Sequence, residues 1–390
     1  MKRLRWLSLL PGLAGCSLNP PPQPAALPPP GWSRVTRFLD SAVADSAAPG
    51  AVLAVSIEGR RLYHGTGRLG ADDGSAPDST TIYDLASLTK VVALTTLVQL
   101  LVEAGDLGLD VPAARYVPAF SGGGRDSVTL RQLLTHSSGL PAWRPLHLQS
   151  ATRAEAFALA DTTALEAPPG TRYTYSDLGA IVITQVVEAM TGRRLDTLVG
   201  ERLTEPLQLR ETGFLPAQEL APRIAPTEND PWRGRTLRGE VHDENASRLD
   251  GVSGHAGLFA SARDLLVIAD WLIARWHGAD GPAAAQWTRE FTRRQDLPPG
   301  SSRALGWDTP SEGSSAGTRL GPGSFGHTGF TGTSIWVDPA HRLAIVLLSN
   351  RVHPTRQNPR WGPVRAGVAD LVSALWDSSG PKPAGDLPSP

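Results

Sequence analysis

Ser87-Leu88-Thr89-Lys90 places one of the chain's three lysines three positions after a serine. The sequence has 37 basic residues, and all of them except Lys2, Lys90 and Lys382 are arginines. An arginine keeps its proton inside a protein whereas a buried lysine can lose it, so a site that needs a neutral amine cannot use arginine. Residues i and i+3 share one face of a helix, so a helix beginning near Ser87 brings the hydroxyl and the amine together at its N-terminus. The alternative is that Ser87 caps the helix and Lys90 is a solvated first-turn residue.

Three more motifs follow the tetrapeptide in order. They are Leu133-Leu134-Thr135-His136-Ser137-Ser138-Gly139-Leu140-Pro141, Tyr175-Ser176-Asp177 and Gly326-His327-Thr328-Gly329. Together the four resemble the ordered signatures of the serine beta-lactamase and penicillin-binding-protein superfamily. The motif Tyr175-Ser176-Asp177 begins with tyrosine, and in this it resembles the class C-like branch of the superfamily. That branch includes D-alanyl-D-alanine peptidases, beta-lactamases and esterases. The resemblance covers nearly the whole globular part of the chain.

The resemblance implies a catalytic group of three residues. Ser87 is expected to be the nucleophile that forms an acyl-enzyme with a carbonyl substrate. Lys90 is expected to accept or relay its proton, and Tyr175 to act as the partner base and as the acid that protonates the leaving group. For Tyr175 the alternative is an aromatic ring that packs on the core at the end of a strand.

The resemblance also implies which residues bind substrate, and these lie in and after the motif Gly326-His327-Thr328-Gly329. His327 occupies the position often held by lysine and is expected to offer a positive or hydrogen-bonding edge. The backbone N–H groups of Ser87 and Phe330 are expected to form the oxyanion hole. Thr328, Gly329 and Thr331 are expected to lie along the strand edge that binds an extended substrate.

Asp177 departs from the family pattern, which has asparagine at this position. An ionised aspartate accepts hydrogen bonds and cannot donate one to a substrate carbonyl, so binding of an amide there should weaken. A carboxylate near Lys90 would also keep the amine protonated and shift the role of base to Tyr175. The alternative is that Asp177 caps the helix that follows it.

A rival nucleophile is Ser315, because 313–317 matches the G-x-S-x-G pattern. That pattern needs a buried strand before it and a helix after it, whereas 311–324 is rich in glycine and serine and is typical of a loop. Ser315 is therefore not expected to react.

Other polar residues are interpreted as structural. His242, Asp243, Asn245 and His255 are expected to connect loops beneath the site, although a position at the edge of the cleft is the alternative, and His136 is expected to order its turn. The nine histidines show no spacing typical of zinc motifs, so neither a metal nor another cofactor is predicted.

Strand patterns lie at both ends of the globular region and helical patterns lie between them. The predicted strands are 51–57, 60–66, 333–337 and 342–349, and the predicted helices are 88–104, 177–190, 262–276 and 363–376. This order predicts an α+β fold of the beta-lactamase/transpeptidase-like type. Its antiparallel sheet is closed by both chain ends, with flanking helices and an inserted, mainly helical region.

The chain is divided into four segments by composition. Residues 1–15 are predicted to be a lipoprotein signal peptide and Cys16, the single cysteine, to be lipidated; an ordinary signal peptide or a short buried helix is the alternative. Residues 16–31, with seven prolines, are predicted to be a spacer, 32–379 the hydrolase domain and 380–390 a disordered tail. The protein is thus expected to be exported and membrane-anchored with its body in the periplasm. Ser17, in place of the aspartate associated with inner-membrane retention, favours the outer membrane.

The leading functional hypothesis is a serine hydrolase that transfers acyl groups from D-alanyl peptides or related amides and esters. Its partners would be a cell-wall peptide or a small ester or amide, and the membrane through the lipid anchor. A net charge of −1 gives no support for nucleic-acid binding. Two alternatives remain: a beta-lactamase or esterase on the same fold, and a sensor that is acylated without turnover by beta-lactams or cell-wall fragments.

Overall fold

The computed structural model describes residues 28–70 and 73–379, with the backbone alone for 377–379. The predicted signal peptide, Cys16, most of the proline-rich spacer and the tail at 380–390 lie outside the described residues. Within the described ranges, no helix has the length and apolarity to cross a membrane.

The strands form one larger and two small sheets. Their bounds are β1 Gly50–Ile57, β2 Arg60–Gly67, β3 Ile82–Asp84, β4 Gly213–Phe214, β5 Asn229–Asp230, β6 Arg235–Thr236, β7 Leu258–Ser261, β8 Phe325–Thr328, β9 Ser334–Asp338 and β10 Leu343–Ser349. The larger sheet has the order β2-β1-β10-β9-β8, and the small sheets are β3-β7-β4 and β5-β6. Every pairing between these strands is antiparallel.

Helices fill the interval between the strands of the larger sheet and flank it at both ends of the chain. Their bounds are α1 Trp32–Ala44, α2 Thr96–Glu103, α3 Leu130–Leu134, α4 Leu146–Gln149, α5 Arg153–Asp161, α6 Asp177–Thr191, α7 Leu195–Val199, α8 Glu244–Arg248, α9 Ala262–Trp276, α10 Pro282–Thr292 and α11 Trp361–Ser379. Short 3-10 segments at Ala113–Arg115, Arg125–Ser127 and Gln218–Arg223, and π-helical segments at Lys90–Thr95 and Gly200–Thr204, complete the helical structure.

The larger sheet joins the two ends of the chain, because β1 pairs with β10 along its length. Successive side chains of a strand point to opposite faces, and both strands are apolar on both faces. Val52 of β1 and Val346 of β10 enter the main core. Leu53 and Leu347 enter a second core, which includes residues of α1 and α11. The predicted α+β fold, with strands from both chain ends in one antiparallel sheet, is confirmed.

The predicted helices are present with small changes at their ends. The prediction for 262–276 matches α9, and α6 continues one residue beyond the prediction to Thr191, where Gly192 ends it with φ 66°. The predicted helix at 88–104 is helical from Leu88, passes through the π-helical segment Lys90–Thr95 and continues as α2 to Glu103. The small β3-β7-β4 sheet was not predicted, and its first strand leads directly into Ser87.

Candidate active site

Ser87 is the one residue between Thr81 and Gln99 that is not buried. It follows β3 through a turn in which Ala86 has a left-handed φ of 47°. That conformation costs a non-glycine residue about 1–3 kcal/mol and is frequent at functional sites. Asp84 stabilises the turn, because its Oδ1 accepts a hydrogen bond from the Ala86 amide at 2.8 Å. The strained turn exposes the serine hydroxyl above an otherwise buried helix.

Lys90 is buried directly beside Ser87. Its Nζ lies 3.0 Å from Ser87 Oγ, 2.9 Å from the His255 carbonyl oxygen and 2.7 Å from Asp177 Oδ1. The first two contacts are hydrogen bonds donated by the ammonium, and the third is an ion pair. Burial by itself lowers the pKa of Lys90, but the charge of Asp177 and the neighbouring Tyr175 outweigh it and raise that pKa above its ordinary value. The amine is therefore protonated at neutral pH, and Lys90 is not a solvated first-turn residue.

Tyr175 lies between two cations. Lys90 Nζ is 5.0 Å from the centroid of its ring, and the Arg303 guanidinium carbon is 5.3 Å from it. The His136 ring packs against the phenol with the centroids 4.5 Å apart. His136 also accepts a hydrogen bond from the Ser176 amide at Nδ1 (3.1 Å), which fixes the segment that carries Tyr175.

Asp177 does not cap α6. The cap is Ser176, whose hydroxyl accepts a hydrogen bond from the Gly179 amide at 3.2 Å. The capping interpretation of Asp177 is therefore wrong. Its carboxylate is in the first turn of the helix and forms the ion pair with Lys90, so the departure from asparagine changes the electrostatics of the site.

His327 is neutral in the folded protein. Burial, followed by the positive charges of Arg303 and Lys90, holds the pKa of His327 well below 6.5. Its Nδ1 is 2.8 Å from the Thr328 carbonyl oxygen, which can only accept, so Nδ1 carries the proton. Nε2 is then an acceptor, and it has no hydrogen-bond partner within the described part of the chain. Of the two expected alternatives, a positive or a hydrogen-bonding edge, the lowered pKa and the unpartnered Nε2 favour the hydrogen-bonding one.

Two backbone amides near Ser87 are free to stabilise an oxyanion. Among the described residues, neither the Ser87 N–H nor the Phe330 N–H donates a hydrogen bond. The loop that carries Phe330 is attached to the turn before Ser87, because the Thr331 and Thr333 hydroxyls donate to the carbonyls of Asp84 (2.7 Å) and Leu85 (2.9 Å).

Gly329 must be glycine for this loop to approach the turn. A Cβ at that position would lie 2.1 Å from Thr333 Oγ1 and 2.3 Å from the Leu85 carbonyl oxygen. Such contacts are far shorter than van der Waals separation, so any larger residue would push the loop away from Ser87.

Thr328 ends β8, the edge strand of the larger sheet. Asp308 pairs with Gly326 on the outer side of this strand. The Asp308 N–H donates to the Gly326 carbonyl at 2.8 Å, and the Gly326 N–H donates to the Asp308 carbonyl at 2.9 Å. Backbone groups of a strand alternate in direction, so Thr328, two residues beyond Gly326, faces the same outer side. This places Thr328 where an extended substrate could add to the sheet.

The polar residues of 242–255 connect loops beneath the site. The His242 amide donates to Asp84 Oδ2 at 2.7 Å, and the His255 ring lies 2.8 Å from Asp243 Oδ1. Asn245 Oδ1 accepts a hydrogen bond from the His147 amide at 3.0 Å. His255 also contributes its carbonyl to Lys90, a contact that sequence reasoning missed because a backbone group carries no residue signature.

Ser315 is not part of this constellation. The Trp336 indole N–H donates to Ser315 Oγ at 3.0 Å, and Trp336 packs in the second core. Arg303, by contrast, belongs to the site and was missed: its Nε donates to the Tyr173 hydroxyl at 3.0 Å, and it stands over Tyr175. In the described residues, no group of three or more His, Cys, Asp or Glu side chains is arranged to hold a metal ion.

A serine that contacts a buried lysine, with a phenol and two free amides around it, defines an acyl-transferring serine hydrolase. Comparison with known proteins agrees. The Beta-lactamase family model matches residues 35–370. A protein of Escherichia coli (strain K12) named "Putative D-alanyl-D-alanine carboxypeptidase" is 34% identical over 332 residues, which cover 76% of this chain and 75% of that protein.

Solved structures share the fold. A penicillin-binding protein homolog from Caulobacter crescentus superposes with a TM-score of 0.71 at 20% identity, covering 89% of this chain and 98% of that one. Simvastatin synthase from Aspergillus terreus superposes with a TM-score of 0.70 at 19% identity, covering 90% and 98%. The chain belongs to the Beta-lactamase family, and it is a serine hydrolase.

Proposed function

We propose that this hydrolase acts on peptides that end in D-alanyl-D-alanine, releasing the terminal residue through an acyl-enzyme on Ser87. The observation that carries the proposal is the arrangement of Ser87 Oγ, 3.0 Å from Lys90 Nζ, beside the free amides of Ser87 and Phe330. The name of the Escherichia coli relative supports this substrate class.

Proton transfer in this site is assigned to Tyr175. Lys90 is already protonated and donates to Ser87 Oγ, so it orients the serine and does not take its proton. The step uses Tyr175 as the phenolate, beside the cations Lys90 and Arg303. As Oγ bonds to the substrate carbonyl carbon, the serine proton passes to the phenolate oxygen and the carbonyl electrons move onto the carbonyl oxygen, which the two amides stabilise. Collapse breaks the C–N bond, and Tyr175 returns the proton to the leaving amine. Water then releases the acyl group by the same steps.

An esterase is the second candidate, and Asp177 is the observation that favours it. The carboxylate cannot donate a hydrogen bond to an amide carbonyl. It is also already paired with Lys90 at 2.7 Å. An ester is more reactive than an amide and depends less on such a donor.

We also propose that the chain is exported and anchored through a lipid on Cys16, with the folded domain in the periplasm. The basic, apolar and small-residue order of residues 1–16 supports this. Metabolic labelling with a radioactive or alkyne-tagged fatty acid should label the wild type in the membrane fraction and leave Cys16→Ser unlabelled. Labelling of Cys16→Ser equal to that of the wild type would contradict the anchor.

The enzymatic proposal is tested by intact-protein mass spectrometry after incubation with penicillin, ampicillin or a D-alanyl-D-alanine peptide. Wild type and the matched control Ser315→Ala should both gain the mass of the opened beta-lactam, and Ser87→Ala should not. The peptide should be shortened by one D-alanine by both active proteins. An adduct that persists in Ser87→Ala and disappears in Ser315→Ala would overturn the assignment of the nucleophile.

The fate of the adduct separates the functions. A stable adduct together with peptide cleavage supports the carboxypeptidase, and rapid release of a hydrolysed beta-lactam supports a beta-lactamase. Cleavage of short p-nitrophenyl esters without acylation by any beta-lactam supports the esterase. A stable adduct without turnover of any substrate supports a sensor.

A further inference from the structure

The loop that carries Phe330 is attached to the C-terminal part of the chain through its carbonyl groups. Arg365 Nη2 donates to the Gly329 carbonyl at 2.6 Å and to the Thr333 carbonyl at 3.1 Å. The Trp361 indole N–H donates to the Gly332 carbonyl at 2.7 Å, and Arg351 Nε donates to the Phe330 carbonyl at 2.8 Å. Trp361 and Arg365 are four residues apart in α11, so one face of the helix makes both contacts.

The geometry of the peptide bond connects these contacts to the oxyanion hole. The bond between Gly329 and Phe330 is trans, so its C=O and its N–H point in opposite directions. The loop lies between α11 and the turn before Ser87, to which Thr331 and Thr333 attach it. Binding the Gly329 carbonyl from the α11 side therefore directs the Phe330 N–H toward the turn that carries Ser87.

We propose that Arg365 is a positioning residue of the oxyanion hole: it holds the Gly329–Phe330 peptide so that the Phe330 N–H faces the developing oxyanion. The inference rests on the proposed acylation of Ser87, and it deepens that function by adding a residue outside the four sequence motifs.

The electrostatics of Arg365 agree with this role. Among the described residues, it pairs with no carboxylate. Burial, followed by the nearby charge of Arg351, lowers the pKa of Arg365 to about 10, so the guanidinium remains charged at neutral pH. A cation that binds a peptide carbonyl polarises the peptide and makes its N–H a stronger donor, because hydrogen bonds in a chain strengthen one another. Arg365 would thus both orient the Phe330 amide and increase its attraction for negative charge.

The test compares Arg365→Met, Arg365→Lys and Arg125→Met with the wild type. Arg125 is a matched control, since it also donates to two backbone carbonyls, those of Thr163 (3.2 Å) and Ser121 (2.6 Å), away from the site. The readouts are the first-order rate constant for acylation of Ser87 by a beta-lactam or a p-nitrophenyl ester, and the affinity for a boronic acid, whose tetrahedral adduct places an oxygen in the oxyanion hole.

Loss of one oxyanion donor typically costs about 100- to 1000-fold, so misorienting the amide in Arg365→Met should slow acylation by about 10- to 100-fold. Boronate affinity should fall in parallel and KM should change little. Arg365→Lys, which keeps a cationic donor, should recover part of the loss, and Arg125→Met should match the wild type.

Three outcomes would contradict the role of Arg365 or the proposed function. An unfolded fraction can only lower the observed rate constant for acylation, so Arg365→Met that acylates at the wild-type rate would overturn the inference even if its melting temperature fell. An equal loss of rate in Arg125→Met would also overturn it. Failure of wild-type Ser87 to react with any of these reagents would overturn the proposed function, and this inference with it.

Discussion

Lys90 Nζ lies 2.7 Å from Asp177 Oδ1, which is closer than its 3.0 Å separation from Ser87 Oγ. The ammonium is therefore neutralised by a carboxylate while it contacts the Ser87 hydroxyl. A lysine with a raised pKa cannot accept a proton at neutral pH, although it can orient the serine and add positive charge near the phenol of Tyr175. In the proposed mechanism Lys90 thus acts as a charge, and Tyr175 is the proton acceptor.

Asp177→Asn should preserve acylation by a beta-lactam or raise it by up to about tenfold. The amide can donate to a substrate carbonyl while still accepting from Lys90. Loss of the carboxylate also lowers the pKa of Lys90, because burial is then opposed by less negative charge. The ammonium of the variant is no longer neutralised by a carboxylate, so it adds more positive charge beside Tyr175 and the developing oxyanion. Stopped-flow absorbance with nitrocefin measures the acylation rate.

Asp177→Ala is the control, since it removes the carboxylate and supplies no donor; it should acylate more slowly than Asp177→Asn. A complete loss of acylation in Asp177→Asn, with an unchanged circular dichroism spectrum, would contradict this account of the ion pair.

Lys90→Arg should lower the acylation rate by about 100- to 10,000-fold, because a serine that is no longer oriented loses the proton transfer to Tyr175, and general acid–base catalysis contributes a factor of this size. The charge is kept, but a planar guanidinium does not reproduce the three contacts of a compact ammonium with Ser87, Asp177 and the His255 carbonyl. Mass spectrometry with penicillin measures the rate, and thermal unfolding verifies that the domain remains folded. Acylation at a rate close to that of the wild type would show that charge alone suffices.

The parts of this protein that could be predicted are those set by local pattern. The apolar runs that become β1 and β10 are buried on both faces, and a strand of that kind has few alternatives to the centre of a sheet. Ser87 and Lys90 are three residues apart, so local backbone geometry is enough to bring them together.

The parts that could not be predicted depend on contacts between distant segments. Arg303 reaches Tyr175 across more than a hundred residues, and Arg365 reaches Gly329 from the last helix. Nothing in the residues around either arginine distinguishes it from the many others in the sequence. The left-handed conformation of Ala86 could not be predicted from the sequence either, because non-glycine residues seldom adopt it.

Tyr175→Phe should lower acylation by about 100- to 10,000-fold while the melting temperature stays near that of the wild type. The ring keeps its packing against His136, whose centroid is 4.5 Å away, and only the hydroxyl that carries the proton is lost. The rate constant with a p-nitrophenyl ester and calorimetric unfolding measure the two effects. If Tyr175→Phe acylates as fast as the wild type, the proton must be taken by another group and Lys90 becomes the candidate.

The neutral state of His327 makes the stability of the domain depend on pH. The pKa of His327 is well below 6.5 in the folded protein because of burial and of the positive Arg303 and Lys90, whereas the unfolded chain binds a proton near pH 6.5. Below that pH the unfolded state gains a proton that the folded state does not. The contribution of His327 to stability is therefore present above pH 6.5 and is lost on acidification, at up to about 1.4 kcal/mol per pH unit.

His327→Asn isolates this contribution, because its side-chain amide can still donate to the Thr328 carbonyl but does not titrate. Free energies of unfolding from urea denaturation at pH 8, 7, 6 and 5 should show the wild type losing stability relative to His327→Asn as the pH falls. His136, whose pKa is also held well below 6.5, is present in both proteins, so its contribution cancels except for the part that the charge of His327 adds to its shift. If acidification instead stabilised the wild type relative to the variant, His327 would be protonated in the folded state. The substrate would then meet a positive charge at β8 in place of the Nε2 acceptor.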